Sequence, residues 1–287
     1  MERRDRPLRQ PDFGAGLVTA TDISRLSVLA CFAHPDDEGF ASGGLLAMLA
    51  AGGARVTLVC ATNGDLGEIS DPTLATPENL WQVRKQELRN AMAITGITDL
   101  RFLDYRDSGM DGWDSNNHPN AYCNADSDHI VGLLTGIIAE INPHVVLTHD
   151  PSGGYGHPDH KTMCAHATAA VQRASDPDGF TPLLYYVCFP RGVFQRWWQE
   201  MLNRGIEPPF AVDAIDSLGT PDEDVTTAVD VSPYVATKIA SLKCHRTQIS
   251  DDGPFFQLPA DIMAGLMGAE YYQLAIPAGG TDLLATL

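Results

Sequence analysis

Leu26-Ser27-Val28-Leu29-Ala30-Cys31-Phe32-Ala33, followed at once by His34-Pro35-Asp36-Asp37, is the stretch on which the fold reading turns. An apolar run of that length reads as a buried strand. Pro35 then removes a backbone donor and stiffens the turn, so the hydrogen-bonded ladder ends there. Side chains able to hold a metal or move a proton crowd the carboxyl end of that strand. The chemistry recurs downstream in His157-Pro158-Asp159-His160. That second cluster follows another strand-like run, His144-Val145-Val146-Leu147-Thr148, and a glycine-rich loop, Ser152-Gly153-Gly154-Tyr155-Gly156. Two such clusters, each behind a strand, point to one metal site built from both.

Outward from residues 26–33 the pattern alternates. A helix is expected over about 42–52, a strand over 54–61, a helix over about 77–95, a short strand over 100–103, a helix over 127–141 and a strand over 144–149. Val83, Leu88, Ala91, Met92 and Ala93 give the second of these helices one apolar face. After the second cluster, 160–174 reads as a helix, 183–189 as a strand and 193–204 as a helix. Farther on, 225–231 alternates like a strand, 233–243 looks helical and 270–276 closes as a last strand. Strand–helix alternation is the signature of an α/β, Rossmann-like, mostly parallel sheet with helices on both faces. Ligands of such sheets bind beyond the carboxyl ends of the strands, where both clusters fall. We read residues 1–22 as a flexible N-terminal arm and 23–287 as one domain, its C-terminal third extending around the mouth of the site.

The net charge is −18, from 37 acidic and 19 basic residues. That argues against nucleic-acid binding by phosphate neutralisation, which needs a clustered basic face. It argues equally against an anionic membrane surface. No apolar stretch reaches the ~18 residues of a membrane-spanning helix. The basic start, Met1 to Pro7, is followed by no apolar segment of a secretory signal. None of the six cysteines falls in a C-x-x-C pair. A reducing cytoplasm is the expected setting, and a cysteine metal site is not expected.

Zinc takes imidazole nitrogen and carboxylate oxygen, and a catalytic site keeps one position open. His34 and Asp37 are three apart at a tight turn, so both can point at one ion, with His160 as the third ligand. Two histidines and a carboxylate also suit ferrous iron, so ligand type alone leaves the metal open. Asp36 would sit beside a bound water, where a carboxylate acts as general base. His157, three residues before His160, would reach the substrate side as acid or stabiliser. Tyr155 can donate its hydroxyl to an oxyanion. His149 is a rival ligand at its own strand end, or a supporting histidine. His118, His129, His144 and His166 read as surface or satisfied histidines. The glycine loop lacks the Lys-Ser/Thr of a Walker motif, which argues against a phosphate cradle.

Ala33-His34-Pro35-Asp36-Asp37-Glu38 together with Gly153-Gly154-Tyr155-Gly156-His157-Pro158-Asp159-His160 resembles the PIG-L/LmbE-like zinc deacetylases. That family includes N-acetylglucosaminylphosphatidylinositol deacetylase and the deacetylases of mycothiol and bacillithiol synthesis. The motif match spans about residues 26–175. Lys243-Cys244-His245-Arg246-Thr247-Gln248 is a weaker echo of a C-terminal family motif. The resemblance implies zinc on His34, Asp37 and His160, Asp36 as general base, His157 as acid or electrostatic stabiliser, and Tyr155 as a mobile oxyanion partner. Arg106-Asp107-Ser108-Gly109-Met110 looks like the mycothiol branch, which implies that Asp107 and Arg84 hold sugar hydroxyls. The loop 111–123 and the region after Phe180 depart from a mycothiol enzyme, so its substrate is not imported.

The function expected is therefore a zinc-dependent hydrolase that removes an acetyl group from the amide nitrogen of an N-acetylated amino sugar or its glycoside. A small-molecule amino sugar is the expected partner, with no nucleic acid and no membrane insertion. An amidase of thiol conjugates on the same site is one alternative. A non-catalytic carbohydrate-binding protein is another, and the presence of Asp36 and every ligand weighs against it. A non-haem iron oxidoreductase would need a cosubstrate anchor in a β-barrel, which the strand–helix alternation does not offer.

Overall fold

The computed structural model describes residues 22–175, 181–208, 218–250, 253, 256–277 and 282–287. The expected N-terminal arm, Asp22 apart, lies outside them. Strands β1 (Ser27–Phe32), β2 (Arg55–Thr62), β3 (Asp99–Tyr105), β4 (Val145–Thr148) and β5 (Leu183–Cys188) pair in parallel. Two later strands, β6 (Thr227–Asp230) and β7 (Ala269–Ile276), add antiparallel pairings at one edge. The sheet order is β3-β2-β1-β4-β5-β7-β6. The chain winds one way from β1 and the other way from β4, so the crevice between their carboxyl ends is the topological switch point, where such sheets bind ligands.

β1 is buried along its whole length, and its alternate residues serve opposite faces. Val28, Ala30 and Phe32 pack with Leu45 and Leu49 of α1 (Asp37–Ala51) and Leu88 and Met92 of α2 (Leu80–Thr95). Leu29, Cys31 and Ala33 pack with Leu134 and Ile138 of α3 (Ser127–Ile141) and Met163 and Val171 of α4 (Pro158–Ala174). Each fully buried leucine contributes about 1.5–3 kcal/mol of transfer free energy. The polar loop after β3 holds two 3₁₀ turns, Asp114–Asn117 and Tyr122–Asn124, and bridges back through Arg106 and Ala121.

The C-terminal third does more than surround the mouth. Besides β6 and β7 it supplies α5 (Arg191–Asn203), α6 (Val235–Leu242) and α7 (Ala260–Met267). α6 packs against α1 and α2, and Val231 and Tyr272 join the same buried cluster as Leu45. That packing explains why α1 starts at Asp37 and not near 42. Its first turns are rich in glycine, which disfavours helix. A Cβ on Gly44, however, would lie 2.6 Å from Val231 Cγ2, so the small residue is what lets the later chain approach.

Candidate metal centre and active site

β1 ends at Phe32, and the next residues turn sharply into α1. Asp37 closes the turn, its Oδ2 accepting the His34 backbone N–H at 2.7 Å. Asp36, the N-cap of α1, sits at φ 114°, ψ −26°. A non-glycine residue there costs about 1–3 kcal/mol and persists only where surrounding contacts over-determine it. Those contacts are present. The Asp36 N–H donates to Glu38 Oε2 at 3.0 Å, and its carboxylate accepts from Arg84 Nη2 at 3.1 Å.

From the end of β4 the chain passes His149 and Asp150 into the glycine loop. Asp150 Oδ1 accepts the Gly154 N–H at 2.9 Å and the Ser152 hydroxyl at 2.9 Å, which folds the loop back. Gly153 lies at φ 72°, and a Cβ there would stand 2.9 Å from the His157 carbonyl, so only glycine fits. His157 is the N-cap of α4, its Nδ1 accepting the Asp159 N–H at 3.2 Å, with Pro158 in the first helical turn. An accepting Nδ1 leaves the His157 proton on Nε2. Burial, with His34 and His160 beside it, pushes His157 down to about 3, so it is a neutral donor.

These two turns bring the expected ligands together. His34 Nδ1 lies 3.1 Å from His160 Nε2, His160 Nε2 lies 3.2 Å from Asp37 Oδ1, and His34 Nδ1 lies 3.4 Å from Asp37 Oδ2. Metal–ligand bonds of about 2.0–2.2 Å in a tetrahedron place ligand atoms about 3.3–3.5 Å apart, so the spacing fits one ion. The outer ring nitrogens are occupied, as metal-binding histidines require. His34 Nε2 faces Asp159 Oδ2 at 3.2 Å, and His160 Nδ1 faces the Gly153 carbonyl at 3.2 Å. Asp159 is wholly buried and is itself held by the Ser108 N–H at 2.9 Å and the Ser108 hydroxyl.

Charge makes the same case. Burial alone would lower His34, yet the carboxylates of Asp107, Asp159 and Asp37 raise it well above the ordinary histidine value. A cation bound beside His34 would serve the same carboxylates. His149 is different. Its Nε2 accepts the Ala33 N–H at 3.0 Å, and burial with His160 alongside pushes it down to about 4. Its ring stacks on His160 at 4.0 Å between centroids, which fixes that ring's plane.

The other expected residues fall around this centre. Burial pushes the Asp36 carboxyl up to about 6, against the pull of Arg84. Arg84 is buried and donates to the Gly64 carbonyl at 2.7 Å and the Pro35 carbonyl at 2.6 Å as well as to Asp36. These bonds tie it to the turn that carries Asp36. Asp107 is buried, 3.6 Å from His34 Nε2 and 3.9 Å from His157 Nε2, and accepts the Gly109 N–H at 2.8 Å. Burial works against its ionisation, but His34 and that N–H hold it well below the usual carboxylate range. Tyr155 is half-exposed on the glycine loop, its ring 5.3 Å from that of His160. Asp36, Asp37, Tyr155 and His160 line a cavity of about 280 Å³, mostly apolar in its exposed surface, which Phe194 and Trp197 of α5 also line.

The sequence assigns no role to Asp159, Asp150, Ser108 or Glu38, and shows the His245 segment only as a weak motif echo. Asp159 and Asp150 carried a signal, carboxylates beside a histidine cluster, whereas Ser108 and His245 reach the site only through the fold. His166 is a satisfied histidine, bonded to Tyr122 Oη and Ser127 Oγ, each at 3.1 Å.

The chain has relatives among known proteins. The family model described as PIG-L, GlcNAc-PI de-N-acetylase, matches residues 29–171. The 1D-myo-inositol 2-acetamido-2-deoxy-alpha-D-glucopyranoside deacetylase of Acidothermus cellulolyticus is 42% identical over 269 residues, 88% of this chain and 91% of that protein. Among solved structures, N,N'-diacetylchitobiose deacetylase from Pyrococcus horikoshii superposes with a TM-score of 0.55 at 19% identity, over 88% of this chain and 84% of that one. The 4-carboxy-2-hydroxymuconate hydratase of Pseudomonas putida gives a TM-score of 0.53 at 18% identity, over 90% of this chain and 99% of that one. These two likenesses concern the fold alone, and a scaffold shared by a deacetylase and a hydratase does not choose the reaction. The ligand set and the 42% relative carry that choice.

Proposed function

The chain belongs to the PIG-L family, and on that premise we propose that it hydrolyses the acetamide of an N-acetylglucosaminyl glycoside, with zinc held by His34, Asp37 and His160. The observation that carries this reading is the mutual 3.1–3.4 Å spacing of the three ligand groups, with Asp36 lining the same cavity as Asp37 and His160. A cation held by these three residues would supply Lewis-acid polarisation of the amide carbonyl and lower the pKa of water toward neutral pH.

The protein's own groups do the rest. Asp36 accepts a proton from the attacking water as its oxygen bonds to the amide carbon. The His157 Nε2–H and the Tyr155 hydroxyl donate to the developing oxyanion. The C–N bond then breaks, and the proton taken by Asp36 passes to the departing amine. Acetate and a free amino sugar result. A neutral His157 suits the stabilising role better than that of a preformed acid. Asp107, a buried carboxylate 3.6 Å from His34 Nε2, is our candidate acceptor for sugar hydroxyls, and Arg84 serves by orienting Asp36. The apolar lining of the cavity offers a surface for the sugar ring or its aglycone. The six free cysteines fit a cytoplasmic setting, and among the described residues no helix is long and apolar enough to cross a membrane.

A small panel tests the reading. It comprises N-acetylglucosamine, N,N'-diacetylchitobiose, an N-acetylglucosaminyl inositol, an N-acetylglucosaminyl malate and a bulky thiol conjugate, each assayed for free amine with zinc supplied. Amine release from an N-acetylglucosaminyl glycoside is expected. Release from none of the panel would overturn the proposal, and release from the thiol conjugate alone would move it to the amidase alternative.

A further inference from the structure

Asp36 reaches its position only by adopting a backbone conformation, φ 114°, that asparagine-like residues visit at a cost and most others avoid. Something must hold it. The Asp36 N–H donates to Glu38 Oε2 at 3.0 Å, and Glu38 Oε1 accepts from His245 Nε2 at 2.8 Å. A carboxylate only accepts, so the His245 proton must lie on Nε2. Glu38 is 1% exposed and His245 0% exposed, so this chain of bonds runs wholly inside the protein. His245 arrives from the far end of the sequence, just after α6. The residues beside it are tied down as well. The Thr247 N–H and hydroxyl both bond to the buried Glu87 carboxylate of α2, at 2.8 and 2.6 Å.

We propose that His245 is a positioning residue for hydrolysis, acting through Glu38 to hold the strained Asp36 backbone and so aim the Asp36 carboxylate. The inference rests on the reading of Asp36 as the base. It gives the His245–Gln248 segment a task that neither metal binding nor core packing explains. It also accounts for an ionisable pair buried this deeply, since a misplacement of about 1 Å at a reacting group costs on the order of a hundredfold in rate.

The test compares His245→Leu with His245→Gln in zinc-loaded protein on an N-acetylglucosaminyl glycoside. Leucine fills the space without a donor, and glutamine returns an N–H toward Glu38. His245→Leu is expected to lower kcat about 10- to 100-fold, with KM within about threefold and zinc content unchanged. His245→Gln should recover most of that loss. Equal kcat in the two variants, or loss of zinc in step with kcat, would overturn the proposal. Should the leucine variant not fold, Glu38→Gln against Glu38→Leu makes the same comparison from the other end, because only glutamine keeps an acceptor for the Asp36 N–H. Equal kcat in that pair overturns it too. Asp36→Asn is assayed alongside. Full activity there would instead remove the reading of Asp36 as base, a failure separate from that of the His245 pair.

Discussion

Asp159→Asn is a nearly isosteric change that bears on the metal through one hydrogen bond. Asparagine can keep an oxygen where Asp159 Oδ2 accepts from His34 Nε2 at 3.2 Å and from the Ser108 N–H at 2.9 Å. What it loses is the charge, and with it the oxygen that accepts the Ser108 hydroxyl. A hydrogen bond to a charged group contributes about 1.5–3 kcal/mol and a neutral one about 0.5–1.5, so roughly 1–1.5 kcal/mol of support for His34 disappears. At about 1.4 kcal/mol per factor of ten, that alone is close to tenfold in zinc affinity. Removing a buried carboxylate near the cation adds to it, which places the total in the ~10- to 100-fold range known for such outer partners. With zinc at 100 times the wild-type Kd, wild-type protein gains about 2.7 kcal/mol of stability, whereas a variant binding thirtyfold more weakly gains about 0.9. Competition with a chromophoric chelator measures the affinity, and urea unfolding with and without zinc measures the linked stability. Zinc affinity equal to wild type, with activity lost, would refute the assignment of Asp159 to His34.

Asp36→Asn should cut kcat at least ~10²-fold with zinc content intact, and equal loss of both would make Asp36 a ligand. Because Asp36 must be ionised to accept a proton and burial pushes it up to about 6, kcat/KM should fall as pH drops through or below 6, a bound cation moving that limb only to lower pH. A rate still flat at pH 4 would contradict this. Lys238 and Glu270 form an ion pair at 2.7 Å with side chains 4% and 2% exposed, so Lys238→Met should destabilise by about 3 kcal/mol in urea unfolding. That is the low end of the range for a broken buried pair, because Glu270 keeps the Gly44 and Leu45 N–H groups and the Tyr272 hydroxyl. Asp107→Ala should reduce kcat/KM for an N-acetyl sugar far more than for a simple acetanilide, and equal loss on both would assign Asp107 to local structure.

Much of this was legible in the chain because the local rules agreed with one another. β1 is an unbroken apolar run, and the turn that ends it carries its own proline, so strand, turn and site could be read together. The sequence distance between His34 and His160 mattered less than the fact that each follows a strand, since a parallel sheet gathers such ends on one side. Helix α1 was read late because its glycines argue against helix until the approach of Val231 is known. Helix α7 escaped notice because a short apolar segment has too few turns to show a period. The Arg84 guanidinium was expected at the sugar, and only the fold shows its Nη groups bonded to Pro35, Gly64 and Asp36. His245 could not be placed at all, because nothing local ties it to Glu38, 207 positions away.

Titrating metal-stripped protein with zinc while measuring acetate released from an N-acetylglucosaminyl inositol tests the central claim most directly. Activity should rise in proportion to zinc and level off at one ion per chain. The same titration on His160→Ala should give neither tight binding nor turnover, while His149→Ala keeps the ion. Full turnover without metal, or a His160→Ala protein that binds one zinc and hydrolyses at the wild-type rate, would contradict it.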